Sequence, residues 1–311
     1  MCGIAGGMTK NGQPPSDRLL EVMRDALHHR GPDGNGIFQE SDTGLVHTRL
    51  GIIDPNGAHQ PFVAPNGNAL VGNGEIYNDL SIREDLRDAP YDSGNDNESV
   101  LHLYNKKGLE FTKYLRGMYA VAIYDRSNEC LVLARDPFGI KPLYYVETKD
   151  AFWFASEPQA MLTAGVLARH ENLVARDHLL GLQFTSGPET IFSGIRRLAP
   201  GGVIVVKRGK VTDRVESDPI SQLIKPDQTS NVNFDEMWMD AVDVHRRSDV
   251  PYGIFLSSGT DSAAVLSAMA RLERLPLVTF TAGFQGGFVH DERRQAAVLA
   301  EAVGAEHRSI E

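Results

Sequence analysis

A polar stretch from residue 211 to residue 233, dominated by Asp, Ser, Pro, Gln and Asn and without periodicity, divides this chain into two regions of different rhythm. Ahead of it, short segments rich in Val, Ile, Tyr, Phe and Trp come in neighbouring pairs separated by turns, the pattern of an α+β domain. Residues 118–125, 130–135, 143–146 and 151–155 read as consecutive strands of an antiparallel meander. Helices are expected over 17–27, with Ser16 as N-cap and Leu19, Leu20, Met23, Ala26 and Leu27 on one face, and over 98–107. Behind the polar stretch a helix (235–247), a strand (252–256), a helix (261–272), a strand (277–284) and a helix (291–303) alternate, which predicts a parallel α/β unit. The expected organisation is a domain over 2–212, a linker over 213–233 and a second domain over 234–311. The last residues, Ile310 and Glu311, read as the beginning of another strand. A doubly wound domain is normally about twice the size of this second region.

Among 311 residues, 41% are hydrophobic and 23% charged, enough to bury a core in each region. The net charge of -10 and the lack of any basic run exclude nucleic acid and anionic membrane surfaces as expected partners. The longest uncharged apolar stretches, 198–206 and 263–270, are far too short to span a bilayer. Met1-Cys2-Gly3-Ile4 lacks the basic start and apolar core of a secretion signal, so a cytoplasmic location is expected. Cys2 and Cys130 are the only cysteines; no disulfide framework and no cysteine cluster for zinc is expected.

Cys2 concentrates chemistry on one residue. A small side chain after the initiator generally allows Met1 to be removed, which would leave Cys2 with a free α-amine. That amine has an ordinary pKa of about 7.7 to 8.0 and can take the thiol proton near neutral pH. Acyl transfer then needs no histidine partner.

Cys2-Gly3-Ile4-Ala5-Gly6 and Arg30-Gly31-Pro32-Asp33-Gly34 resemble the start of the class II glutamine amidotransferases. Arg135-Asp136-Pro137-Phe138-Gly139-Ile140-Lys141-Pro142-Leu143-Tyr144-Tyr145 and Phe154-Ala155-Ser156-Glu157 narrow the likeness to the asparagine synthetase branch, across nearly the whole chain. The resemblance implies an αββα sandwich of the N-terminal-nucleophile hydrolase type, followed by a partial α/β domain like the ATP pyrophosphatases. It implies that Cys2 attacks the glutamine side-chain amide, with the Asn73 side chain and Gly74 N–H as oxyanion hole. Arg49 would hold the substrate α-carboxylate and Asp96 its α-ammonium, with Leu50, Ile52, Ile53 and Glu75 completing the glutamine pocket. The family's usual Ser-Asp-Thr-Glu around this Asp has become Asn95-Asp96-Asn97-Glu98. Taken alone, Asn73-Gly74 reads as a hairpin turn, and Arg49 and Asp96 read as surface charges; their order behind Cys2 favours the pocket.

Ile254 to Ser262 reads as a short strand running through small residues into a helix, where backbone N–H groups can receive phosphate. Leu256-Ser257-Ser258-Gly259-Thr260-Asp261-Ser262 resembles the pyrophosphate loop of ATP pyrophosphatases, with Ser258 replacing one Gly. By the same likeness Leu256 and Ala282 lie near the adenosine of ATP, Mg2+ shields the phosphates, and His290-Asp291-Glu292 matches the family's acidic position. Without the resemblance, the loop is ordinary architecture and the acidic residues are a helix N-cap.

The implied activity is glutamine-dependent asparagine synthesis, in which ammonia from Cys2 displaces AMP from an adenylated carboxylate, most simply that of aspartate. A glutaminase or ammonia donor, or an amidotransferase for another acid completed by a partner, is the first alternative. A non-catalytic regulator binding glutamine or nucleotide is the second. Much of the family's later acid-substrate region is not matched by Glu311, which leaves a fragment, a natural truncation, a homodimer or a completing partner open.

Overall fold

A computed structural model describes residues 1–57, 59–215, 233–273, 277–283 and 291–311. The chain forms two compact units, Met1–Lys225 and Pro226–Glu311.

In the first unit two antiparallel sheets stack face to face. One holds β1 (Gly3–Thr9), β2 (Gly34–Glu40), β3 (Thr43–Arg49), β8 (Tyr144–Glu147), β9 (Ala151–Ala155) and β10 (Arg196–Arg197), in the order β10-β8-β9-β1-β3-β2. The other holds β4 (Phe62–Val63), β5 (Ala69–Ile76), β6 (Gly117–Asp125), β7 (Cys130–Arg135), β11 (Val203–Lys207) and β12 (Lys210–Val215), in the order β12-β11-β7-β6-β5-β4. Helices α1 (Asp17–Ala26) and α4 (Pro158–Thr163) cover the first sheet, whereas α2 (Asp79–Asp85) and α3 (Asp96–Lys107) cover the second. A further helix, α5 (Leu173–Leu182), lies between α4 and β10 in the chain. The layers are αββα.

Period-two alternation produces this layering. Along β6, Tyr119, Val121 and Ile123 face the helices while Ala120, Ala122 and Tyr124 face the opposite sheet. Along β9, Phe152 and Phe154 enter the space between the sheets and Ala151, Trp153 and Ala155 turn to α1 and α4. Each large apolar side chain fully buried this way is worth about 1.5–3 kcal/mol relative to exposure. Ser16 caps α1 as expected, its hydroxyl accepting from Leu19 N at 3.4 Å.

Two sequence expectations for this unit need correction. The four strands expected as one meander form two hairpins in different sheets, β6–β7 and β8–β9. The chain changes sheets at Asp136, whose carboxylate accepts from Phe138 N, Ile140 N and Lys141 N at 3.0 Å each and closes a tight turn. The polar stretch starts later than its composition suggests, because residues through Val215 pair with β11 as an exposed edge strand. Residues 216–232 lie outside those described. Asn73-Gly74 is not a turn but lies within β5, opposite Ala120 and Tyr119.

The second unit has a three-stranded parallel sheet in chain order, β13 (Ile254–Phe255), β14 (Val278–Ala282) and β15 (Glu306–Ile310). Its helices are α6 (Phe234–Val244), α7 (Thr260–Leu272) and α8 (Arg293–Ala302). Leu256, Leu266, Met269, Leu277, Ala296 and Ala300 form its core. The expected alternation is therefore present, and the strand read as beginning at Ile310 ends there instead. Phe284, read as the end of a strand, lies outside the described residues. Parallel sheets are normally covered on both faces, yet Phe255 of β13 is 89% exposed.

Candidate active site

Strand parity brings the sequence-predicted residues of the first unit to one place. Ile4 and Met8 of β1 face the opposite sheet, so Cys2, two residues ahead of Ile4, shares their side. Gly3 pairs with Thr48 and Ile4 with His47, which sets Cys2 beside Arg49 at the end of β3. From the facing sheet, Asn73 and Glu75 follow Ala69 and Val71 along the inner face of β5.

The Cys2 thiol is gripped by the backbone of Leu50: Leu50 N donates to Sγ at 3.4 Å, and the thiol reaches Leu50 O at 3.7 Å. Burial pushes the thiol pKa up, and the Leu50 hydrogen bond offsets part of that rise. Arg30 Nε holds Cys2 O at 3.0 Å while its Nη1 pairs with Glu157 at 2.7 Å. Ile4 N donates to Ser156 Oγ at 3.0 Å, and Ser156 N to Ile4 O at 2.8 Å. The α-amine of Met1 has a lowered pKa, chiefly through burial.

Asn73 is 1% exposed, and its Nδ2 has no hydrogen-bond partner among the described residues. A buried amide donor left this way costs free energy unless something binds it; Arg30 Nη2, both ring nitrogens of His47 and Asn97 Oδ1 share that state. Alternate residues of β5 turn their N–H and C=O to the edge away from β6. Gln60 takes both groups of Gly72, with Gly72 N donating at 2.6 Å and Gln60 Nε2 donating back at 3.2 Å. Asn97 Nδ2 donates to Gly74 O at 3.1 Å, and Ile76 N donates to Asp96 Oδ2 at 2.5 Å. The Gly74 N–H points to this same edge. A Cβ at Gly72 would meet Asn97 Oδ1 at 2.5 Å, and one at Gly74 would meet Met118 O at 2.6 Å; the start of α3 and strand β6 leave room for glycine only.

Asp96 is buried at the first turn of α3, behind the N-cap Asn95, and also accepts from Asn97 Nδ2 at 3.0 Å. Arg49 is buried too, at 5% exposure, rather than a surface charge. Its guanidinium donates to Pro55 O at 3.1 Å, Ile53 O at 3.4 Å and Asp54 O. These bonds fold the loop that carries Leu50, Ile52 and Ile53 back over the site. Asp54 Oδ2 accepts from Gly94 N at 2.9 Å and Ile53 O from Asn95 Nδ2 at 3.3 Å, which ties the loop to the approach of α3. Three of the five guanidinium donors are thereby used.

Sequence reasoning did not single out Gln60, Asn97, Ser156, Glu157 or Lys141 as parts of this site. Asn97, Ser156, Glu157 and Lys141 lie inside motifs quoted for their likeness, so position in a motif was their only signal. Gln60 and Asn97 act through backbone atoms of β5, which no spacing rule reveals.

In the second unit the predicted loop opens α7. Leu256 is buried, its N–H bonded to Phe280 O at 2.8 Å and its carbonyl accepting from Thr281 Oγ1 at 2.5 Å. Ser257 and Ser262 hydroxyls meet at 2.7 Å, and Gly259 N donates to Ser257 Oγ at 3.1 Å. Gly259 is the N-cap residue; Thr260 and Asp261 follow on the exposed first turn. Glu292 reaches across so that Ser258 N donates to its Oε2 at 3.0 Å. Glu292 is the N-cap residue of α8 but makes no side-chain capping bond; Arg293 N donates to Asp291 Oδ1 at 3.0 Å instead. His290 lies outside the described residues. Ala282 ends β14, exposed. Among the described residues no cluster of His, Cys, Asp and Glu could hold a metal ion by itself. No helix among them is long and apolar enough to cross a membrane.

A family profile described as "Glutamine amidotransferase domain" matches residues 1–216, and one described as "Asparagine synthase" matches residues 233–311. The chain is 34% identical over 324 residues to "Asparagine synthetase [glutamine-hydrolyzing] 1" of Bacillus subtilis, covering 99% of this chain and 50% of that protein. It is 30% identical over 323 residues to "Asparagine synthetase [glutamine-hydrolyzing] 3" of Arabidopsis thaliana, covering 100% of this chain and 50% of that one. The chain thus spans about half the length of the curated relatives it matches. Its fold is that of a solved glutamine phosphoribosylpyrophosphate amidotransferase from B. subtilis, with a TM-score of 0.53, 16% identity, and coverage of 99% of this chain and 81% of that one. Sequence profile, relatives and sandwich architecture agree, and the chain belongs to the glutamine amidotransferase family, in its asparagine synthetase branch.

Proposed function

We propose that residues 2–212 form a glutaminase domain in which Cys2, freed of Met1, hydrolyses glutamine to glutamate and ammonia. The unpartnered, buried Nδ2 of Asn73, across the sheet gap from Cys2, carries this reading. The Cys2 α-amine takes the thiol proton and the sulfur bonds to the glutamine side-chain carbon, as the carbonyl electron pair moves to oxygen. Asn73 Nδ2 and Gly74 N–H receive that oxyanion, a charge present only after attack, so they favour the transition state over the substrate. Collapse expels the amide nitrogen, which takes the ammonium proton and leaves as ammonia. Water then cleaves the thioester, releasing glutamate and restoring the thiol. Asp96 receives the substrate α-ammonium, and the remaining donors of Arg49 its α-carboxylate, with Leu50, Ile52, Ile53 and Glu75 as walls.

Residues 234–311 supply part of an amide-forming domain. Its small-residue loop, Ser257 to Ser262, fits a nucleotide phosphate. The N-terminus of the 13-residue α7 is exposed, and a Cβ at Gly259 would meet only Ser257 Oγ, at 3.2 Å. ATP would be held by these N–H groups, between Leu256 and Ala282, with Asp261 and Glu292 as the carboxylates nearest in sequence or contact for Mg2+. When bound, ATP supplies a leaving group to an acid carboxylate that is otherwise a poor electrophile, and aspartate is the acceptor favoured by the relatives' names.

The test is glutamate release from glutamine by the wild type and by Cys2→Ala, with and without ATP, Mg2+ and aspartate, while AMP is followed. Cys2→Ala should abolish glutamate release, by more than about a thousandfold. Cys2-dependent glutamate without AMP would reduce the reading to an ammonia donor. Glutamate release that survives Cys2→Ala would overturn it.

A further inference from the structure

The turn that carries the chain between the sheets has an inverted pattern. Phe138 and Ile140 are exposed at 66% and 53%, while Lys141 is buried at 5%. The inversion is held in place by hydrogen bonds on both sides of the lysine. Its N–H donates to Asp136 Oδ2 at 3.0 Å, and its carbonyl accepts from Arg135 Nε at 2.7 Å. Arg135 also donates to Gly139 O at 2.6 Å, where φ is +63° and a Cβ would meet Arg135 Cζ at 3.1 Å. With its backbone fixed, the lysine can direct its ammonium only inward.

The ammonium ends 3.5 Å from Met1 Sδ, a weak acceptor. A buried ammonium is costly unless paired, and no carboxylate lies within 4.0 Å of it among the described residues. Removing Met1 takes away that sulfur and leaves the charge facing the new N-terminus. The charged groups around it are Glu75 from β5, Arg30 after α1, Asp136 in its own turn and Cys2 itself. Asp33 and Arg49 also act on the N-terminal residues.

We propose that Lys141 is a positioning residue for the nucleophile, its ammonium keeping the Cys2 α-amine uncharged and the Cys2 sulfur ionisable once Met1 has been removed. A second positive charge beside it is disfavoured and a negative one favoured, and both effects move the pair toward free amine and thiolate. The pKa of Lys141 is lowered by burial, with Glu75 first and Cys2 next opposing that fall. The inference rests on the glutaminase reading for its purpose, but its electrostatic content is separate. Lys141 forms and breaks no bond.

The experiment uses full-length protein whose intact mass shows loss of Met1. In Lys141→Met, the acid limb of the pH profile for glutamate release should move up by about one pH unit. Alkylation of Cys2 by iodoacetamide at pH 7 should slow by about tenfold. Lys141→Arg should restore both. A purely structural lysine would instead lower kcat or melting temperature without moving either pH profile, and unchanged profiles in Lys141→Met overturn the proposal. In the wild type, NMR titration of 15N-labelled Cys2 should place the α-amine pKa below the ordinary range of about 7.7 to 8.0. A value within or above that range overturns the proposal even if Lys141→Met does not fold. Should the wild type release no glutamate, the glutaminase reading fails, whereas the alkylation profile and the amine titration still decide the role of Lys141.

Discussion

The two candidate sites are built in opposite ways. The first is gathered from β1, β3, β5, the start of α3 and two turns, and it keeps an amide donor without a partner among the described residues in a buried position. The second centres on a contiguous run, Leu256 to Ser262, whose hydrogen bonds are taken up by Ser257 and Ser262 within the run and by Glu292 at the start of α8. A donor held ready inside a packed sandwich need not reorganise when charge develops. An exposed loop that satisfies itself must give up those bonds to whatever binds.

Asn73→Ala tests the first half of that contrast and has the largest expected effect. Loss of one oxyanion donor should lower kcat for glutamate release by about 10²–10³, with KM changed only a fewfold. The melting temperature should move little, because Nδ2 gives up no hydrogen bond within the described residues. Equal losses in kcat and in stability would mean that Asn73 serves packing, and the first site would then be no more prepared than the second.

Legibility in the sequence follows the same division. The strand-turn-helix of the second unit could be read because all its parts are adjacent, and its alternating elements fall within a few residues of expectation. In the first unit, residues 130–135 and 151–155 form strands over the expected spans, since apolar runs mark strands wherever they pair. Which sheet they join was not legible, because the change of sheet depends on three N–H groups closing on Asp136. Asn73-Gly74 carries the strongest local turn signal, yet it lies within a strand whose edge is closed by Gln60, Asn97 and Asp96. Tertiary partners overrode local preference there. Arg49 and Asp96 could be placed in a pocket only through resemblance, since nothing local distinguishes a buried charge from a surface one.

The interior of the sandwich should also set the acid limit of the first unit. His47, on the inner face of β3, is fully buried and neither ring nitrogen has a hydrogen-bond partner among the described residues; burial pushes its pKa from 6.5 down to about 3, with the Gly72 backbone opposing the fall and Arg49 adding to it. A histidine kept neutral when folded takes its proton only in the unfolded chain. Below about pH 6.5 the unfolded state therefore binds more protons, and stability falls with pH down to about 3. Between pH 7 and pH 5 the loss should be about 2 kcal/mol. Urea unfolding at the two pH values measures it, and His47→Leu should remove most of the difference. An unchanged slope in His47→Leu would assign acid sensitivity elsewhere.

Glu292 offers the finest test of the contrast, on the side of the exposed loop. Its carboxylate accepts the hydrogen bond of Ser258 N at 3.0 Å, and a nucleotide phosphate competing for that N–H must displace a group of its own sign. A charge-assisted hydrogen bond is worth about 1.5–3 kcal/mol. Its half-exposed setting, and the other N–H groups at the start of α7, leave only part of that to be felt. Glu292→Gln should therefore tighten binding of Mg2+-free ATP by about threefold, read by calorimetric titration of the full chain. If Glu292 also serves Mg2+, the gain in affinity on adding the ion should shrink in the same variant. Weaker Mg2+-free binding would show that the carboxylate shapes the loop for phosphate instead of closing it. The second site would then be as prepared as the first, and the difference between them would be one of address in the chain alone.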